Sequence, residues 1–167
     1  MLIAIAADLH DNLANWKIFN HYAKKQDIKN LLFCGDLGNQ ESLKAISNDF
    51  NGKIYLISGN ADLYQVETIK LFSNINFLGR WSSIIIDNIK MALIHEPENR
   101  KKLEKGIDIK QIEYIFYGHT HKPWLDKEKN LLLINPGTLG GVFYPASFAI
   151  LDTKSKKVEL KRLDQLI

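Results

Sequence analysis

The chain has 167 residues, 46% hydrophobic and 25% charged, enough for one domain over residues 1–167. A chain of this size buries roughly 70% of the surface its unfolded form would expose, so neither disulfides nor metals are needed merely to fold it. A net charge of +3 and a pI near 8.8 fall short of the concentrated basic stripe of a dedicated nucleic-acid binder. The single cysteine, Cys34, excludes an intramolecular disulfide, and the N-terminal apolar run lacks a signal peptide's basic flank and cleavage site. No run is long enough to span a membrane, and the expected location is the cytoplasm.

Leu2 to Ala7 is a continuous apolar run of strand length, as expected of a central strand covered on both faces. After the loop Asp8 to Asn12, the residues Leu13, Trp16, Phe19, Tyr22 and Ala23 recur at three- and four-residue steps. That spacing predicts an amphipathic helix ending near Gln26, capped by Asn12 or Asp11. The pattern repeats as a strand over Leu31 to Cys34, the loop Gly35-Asp36 and a helix over Glu41 to Phe50. A third strand over Lys53 to Ile57 leads to Ser58-Gly59-Asn60-Ala61-Asp62, where Asp62 is expected to cap a following helix. Three such units in series predict right-handed crossovers and a parallel sheet.

From Asn76 onward the texture is strand-rich: Phe77-Leu78, Ser82 to Ile86 and Lys90 to Ile94, with Asp87-Asn88 a tight turn between the last two. Pro97 stands where a helix can begin, and Glu98 to Lys105 carries helix formers. Strands over Glu113 to Tyr117, Leu131 to Ile134, Ser147 to Leu151 and Lys157 to Arg162 complete the chain, with Asn135-Pro136-Gly137-Thr138 and Gly140-Gly141 as turns.

Gly118-His119-Thr120-His121 presents two imidazoles at i, i+2, and Asp8-Leu9-His10 repeats that shape. Either doublet alone reads equally well as a polar turn bonding backbone carbonyls. Asp8, Asp36, Asn60, His95, His119 and His121 all follow the carboxyl ends of expected strands, the edge where open α/β sheets bind ligands. Side chains from position 8 to position 121 would therefore meet on one rim. Carboxylates, imidazoles and an amide oxygen without thiolate suit manganese, iron or zinc rather than a closed structural zinc site. Two such ions roughly 3.5–4 Å apart can share a carboxylate and hold a phosphoryl centre during in-line displacement.

Asp8-x-His10, Gly35-Asp36, Gly59-Asn60, His95 and Gly118-His119-x-His121, in this order, resemble the calcineurin-like metallophosphoesterase superfamily. The compact length and Asn135-Pro136-Gly137-Thr138 make the chain most similar to the small prokaryotic phosphodiesterase branch. The resemblance implies a four-layer α/β/β/α sandwich of two mixed sheets flanked by helices. It also implies a metal-dependent phosphodiesterase acting on a small or activated phosphoester through a metal-bound hydroxide at a binuclear centre. Two divalent transition-metal ions would be bound, manganese in first place with iron, zinc or nickel as alternatives. One would take Asp8, His10 and His121, the other Asn60, His95 and His119, with Asp36 bridging; Asp36, Asn60 and His95 are also the expected catalytic residues.

The chain departs from that pattern at Ala61, where many relatives carry a histidine that assists the leaving group. A methyl group donates no proton, so general-acid assistance worth roughly 10²–10⁴-fold is missing unless another group supplies it. Glu96-Pro97 after His95 and Asp11 after His10 also differ from the usual residues, and Asp11 is expected to serve the loop rather than the chemistry. Ala61 is the one feature that favours a scaffold, the role of a eukaryotic retromer subunit with this fold; all seven retained ligand types favour the enzyme. The expected partner is a small phosphoester, with no membrane and no dedicated nucleic acid. Trp81, Trp124 and Phe143 are read as core residues or as contacts within a homo-oligomer.

Overall fold

A computed structural model describes residues 1–166. Its first half alternates β1 (Leu2–Ala6), α1 (Leu13–Lys25), β2 (Asn30–Phe33), α2 (Gln40–Asp49), β3 (Lys53–Leu56) and β4 (Ile75–Phe77). The second half runs β5 (Trp81–Ile86), β6 (Ile89–Ile94), α3 (Arg100–Gly106), β7 (Tyr114–Phe116), β8 (Trp124–Glu128), β9 (Leu131–Asn135), β10 (Ser147–Asp152) and β11 (Lys157–Arg162). Two mixed sheets form, ordered β11-β10-β1-β2-β3-β4 and β5-β6-β7-β9-β8. Strands β1 to β4 are parallel to one another and β10 closes antiparallel on β1; in the other sheet β6, β7 and β9 are parallel.

The alternation within strands explains the layering. Ile3, Ile5 and Ala7, with Leu32, Cys34 and Ile57, join Met91, Leu93 and Phe116 in an apolar layer between the two sheets. Their sequence neighbours Ala4, Ala6, Leu31, Phe33, Ile54 and Leu56 point the other way and pack under Trp16, Phe19, Leu43 and Ile46 of α1 and α2. On the far face of the second sheet, Ala92, Ile94 and Ile115 are covered by Leu103 of α3. These three apolar layers make the α/β/β/α sandwich, and Cys34 is a buried core residue.

Local choices agree with the physics of their residues. Asn12 caps α1 by accepting the Asn15 N–H at 3.1 Å, and Asn39 caps α2. Asp87 and Asn88 both take positive φ, 52° and 62°, as a two-residue hairpin turn between β5 and β6 requires. Two departures from the expected elements stand out. The third unit has no α-helix: after Asp62 the chain makes only a 3-10 segment, Val66–Leu71, whose start lacks a side-chain cap and whose Val66, Thr68 and Ile69 are β-branched. Strand β8, absent from the expected strands, pairs antiparallel with β9; every one of its residues is exposed at a sheet edge, so no buried face marked it in the sequence. Arg100 bonds Glu104 and both carboxylate oxygens of Glu128, tying α3 to that edge. No helix among the described residues is long and apolar enough to cross a membrane.

Candidate metal centre

All seven expected ligands lie on loops that leave the carboxyl ends of β1, β2, β3, β6 and β7. Five of them, Asp8, His10, Asp36, His119 and His121, hold left-handed backbone with φ between 46° and 69°. Only roughly a few per cent of non-glycine residues do so, and such a concentration marks a functional site. Close approach explains the neighbouring glycines: a Cβ on Gly35 would stand 2.7 Å from His95 Nδ1, and one on Gly59 2.1 Å from Asp36 Oδ1.

The donors fall into two groups, Asp8 with His10 and His121, and Asp36 with His95 and His119, the ligand atoms of each lying within 4.8 Å of one another. In the first, the Nε2 atoms of His10 and His121 face each other at 3.1 Å, and Asp8 Oδ1 is 3.4 Å from His121 Nε2. In the second, His95 Nε2 lies 3.2 Å from Asp36 Oδ2 and 3.0 Å from Asn60 Oδ1, which His119 Nδ1 approaches at 2.8 Å. Asp36 Oδ2 is also 3.9 Å from His10 Nε2, so one carboxylate faces both groups. Asp8, Asp36, His95 and His121 form a buried floor, while His10 and His119 are partly exposed and Asn60 is exposed, which leaves the centre open on one side.

The donor chemistry suits a cation. His95 Nδ1–H donates to the Cys34 carbonyl at 2.7 Å, so its Nε2 faces the acceptor oxygens of Asp36 and Asn60, a position that either a proton on Nε2 or a bound metal ion satisfies. His121 Nδ1 bonds the Val142 carbonyl at 3.2 Å, which directs the free Nε2 lone pair toward His10. Burial pushes the Asp8 carboxyl up to about 7, opposed by His95 and reinforced by the charge of Asp36. For Asp36 burial acts in the same upward sense, but the hydrogen bond and charge of His95 outweigh it and hold the group below the usual carboxylate range. Burial likewise lowers His121, which favours its neutral, ligating form; at His95 burial is overcome by Asp36 and the value rises.

Residues 1–156 match the family model of the calcineurin-like phosphoesterase superfamily domain. The chain belongs to that superfamily. Phosphodiesterase MJ0936 of Methanocaldococcus jannaschii is 28% identical to this phosphoesterase over 161 residues, spanning 94% of this chain and 96% of its own. A solved structure described as a novel archaeal phosphodiesterase superposes with a TM-score of 0.84 at 26% identity, covering 97% of this chain and 99% of the other. Vps29 of Entamoeba histolytica, solved in complex with zinc, shares the fold at a TM-score of 0.66 and 19% identity, with 97% and 98% covered.

Several residues of this phosphoesterase support the ligands without joining them. Asn135 donates to the Gly118 carbonyl and to Thr120 Oγ1 while accepting the Gly137 N–H, which pins the histidine loop to the end of β9. Thr138 Oγ1–H donates to the Asp8 carbonyl at 2.9 Å. Their signal was the Asn-Pro-Gly-Thr turn itself, visible in sequence as a turn but not as a clamp. Asp62 corrects its expected capping role. Oδ1 accepts the Leu37 and Gly38 N–H groups at 2.7 and 3.1 Å, and Oδ2 accepts the Gly59 N–H at 2.7 Å and the Tyr64 hydroxyl at 3.0 Å. This carboxylate therefore clasps the loop of Asp36 to the loop of Asn60. Asp11 ties its loop to the start of α2, its Oδ1 accepting the Asn39 N–H and the Ser42 hydroxyl.

Proposed function

We propose that this protein is a metal-dependent phosphodiesterase that hydrolyses a small or activated phosphoester. The carrying observation is Asp36, whose Oδ2 lies 3.2 Å from His95 Nε2 and 3.9 Å from His10 Nε2 and so faces both donor groups. Asp8, His10 and His121 would hold one ion, Asn60, His95 and His119 the other, and Asp36 would bridge; manganese suits these oxygen and nitrogen donors, with iron, zinc or nickel as alternatives. Two bound cations would polarise the phosphoryl oxygens and lower the pKa of a water placed for in-line attack. The protein's own part is positional. His95 and His121 are oriented by backbone carbonyls, and Asp36 is held by the Ala61 N–H at 2.7 Å. Asn60 turns Oδ1 toward both imidazoles, which leaves its Nδ2 on the opposite side of the amide to donate to a phosphoryl oxygen. Elemental analysis with a phosphoester panel tests the reading; a metal-loaded protein that cleaves no phosphodiester overturns it and leaves the scaffold role that Ala61 favours.

No proton donor stands at Ala61, and Asp62 is engaged in its clasp, so the departing alcohol must leave with little acid assistance. Rates are therefore expected to fall steeply as the leaving-group pKa rises, with aryl phosphodiesters exceeding alkyl ones by more than the roughly 10²–10⁴-fold that a general acid would recover. A flat dependence, with chemistry limiting turnover, would point to an unrecognised donor. Ala61→His should retain metal, yet raise alkyl-ester rates by well under the roughly 10²-fold floor of that range, because Asp62 is not free to orient the new imidazole. A full restoration in that variant would show that Asp62 leaves its clasp readily.

A further inference from the structure

Phe143, read in the sequence as core or subunit contact, is 90% exposed and belongs to no core. Its place is nevertheless specified. Thr138 Oγ1 accepts the Gly141 and Val142 N–H groups at 3.2 and 3.4 Å, and the Val142 carbonyl meets His121 Nδ1. The next residue, Phe143, takes φ 64°, a conformation that a bulky side chain rarely adopts. The consequence is that its ring stands beside the His121 imidazole, centroids 5.7 Å apart and planes tilted by 33°. A singly exposed phenylalanine needs no explanation by itself. One held by an unfavourable backbone against a metal-ligand candidate does, since strain persists where the surroundings enforce it and clusters where ligands bind.

We propose that Phe143 is a specificity-determining residue, a stacking platform that selects phosphoesters carrying a flat aromatic arm, such as a nucleobase or an aryl group, over aliphatic ones. This rests on the phosphodiesterase reading above. The phosphoryl group would be held at the donor groups of Asp8 and Asp36, and the arm on the His121 side would lie against the open face of the phenyl ring. An aromatic ring supplies every base with a π-face to stack on without reading its edges, so selection is for flatness rather than for one base.

The test is calorimetry of phenylphosphonate and methylphosphonate, neither of which turns over, on the Mn(II)-loaded protein. Wild type is expected to bind phenylphosphonate about tenfold tighter than methylphosphonate. Phe143→Ala should bring that ratio close to one with methylphosphonate affinity and metal content unchanged, and Phe143→Trp should keep or raise it. A wild-type ratio near one, no saturable binding of either probe, or a ratio unaffected by Phe143→Ala overturns the proposal. Equal weakening of both probes in Phe143→Ala overturns it too, since the ring would then merely position His121. Hydrolysis is measured separately on wild type: absence of turnover with the binding ratio intact would sink the phosphodiesterase reading alone.

Discussion

Asp36→Ala is expected to lose both bound metal ions and, with them, phosphodiester hydrolysis. Asp36 Oδ2 lies within 3.9 Å of imidazole nitrogens in both donor groups, whereas Asp8 meets the imidazole nitrogens of its own group and only the backbone N–H of His119 in the other. Loss of a residue that merely supports a ligand weakens metal binding by roughly 10–100-fold, and loss of a shared donor should exceed the upper end of that range at each site. Metal titration followed by calorimetry reads this directly; two undisturbed sites in the variant would remove the bridging assignment. Because Asp36 Oδ1 also accepts the Ala61 N–H, Asp36→Asn is the companion variant: it can keep that bond while lacking the bridging charge. The same experiment has a thermal readout. Metal at a hundred times its Kd stabilises the native state by about 2.7 kcal/mol per site, a rise on the order of 5 to 10 °C in Tm. Wild type should show that rise and both variants should lack most of it. Metal-free Asp36→Asn should still fold with a modest loss of stability, since the Ala61 N–H bond is kept while the charge interaction with His95 is lost and only partly offset by relief of the repulsion of Asp8.

Asp62→Ala is expected to damage the centre from outside it. Four donors converge on this carboxylate, three of them backbone N–H groups on the loops that carry Asp36 and Asn60. Leu37, Gly38 and Tyr64 are buried, so water replaces the lost acceptor poorly. Leaving such groups unpaired costs roughly 1–3 kcal/mol each, and a total on the order of 3 kcal/mol allows for partial relaxation. The loops would then part at the side where Asn60, His95 and His119 meet. Metal affinity at that position should fall by roughly 10–100-fold although no ligand has changed. Tyr64→Phe removes one of the four bonds and should have a much smaller effect on both quantities. If Asp62→Ala keeps wild-type metal affinity and Tm, the clasp does not position the centre. The leaving-group dependence separates this role from proton donation: the slope should be the same in Asp62→Ala and wild type, whereas a donor's removal would steepen it.

Much of this site was legible before any tertiary structure. The seven donor types, their order and their place just past apolar runs are local features, and a strand buried on both faces announces itself by an unbroken apolar stretch such as Leu2 to Ala6. Parallel pairing of β1, β2 and β3 followed from the alternation of strand, loop and helix, because consecutive units wind in one hand. The capping asparagine of α1 and the Asp87-Asn88 turn were equally local, each set by what one side chain or one φ angle permits.

What only the tertiary structure decided concerns partners distant in sequence. In the chain, Asp62 is an acid before an expected helix; in the fold, residues 25 and 24 positions earlier offer it N–H groups, and it becomes a clasp. The left-handed backbone of five candidate ligands is supported by bonds such as His10 N–H to the Asp36 carbonyl and Gly140 N–H to the Asp8 carbonyl; aspartate and histidine tolerate that conformation better than most residues, but their local preference does not say which of them will adopt it. Strand β8 exists because β9 lies beside it, not because its own residues have a buried face. Phe143 is apolar and reads in the sequence as a core residue or a subunit contact, yet the bonds at Thr138 and His121 hold its loop outward at the rim of the site. Hydrophobic pattern determines which faces must be covered, but the acceptor that a loop carboxylate or N–H finds is fixed by loops that meet only after the two sheets have packed.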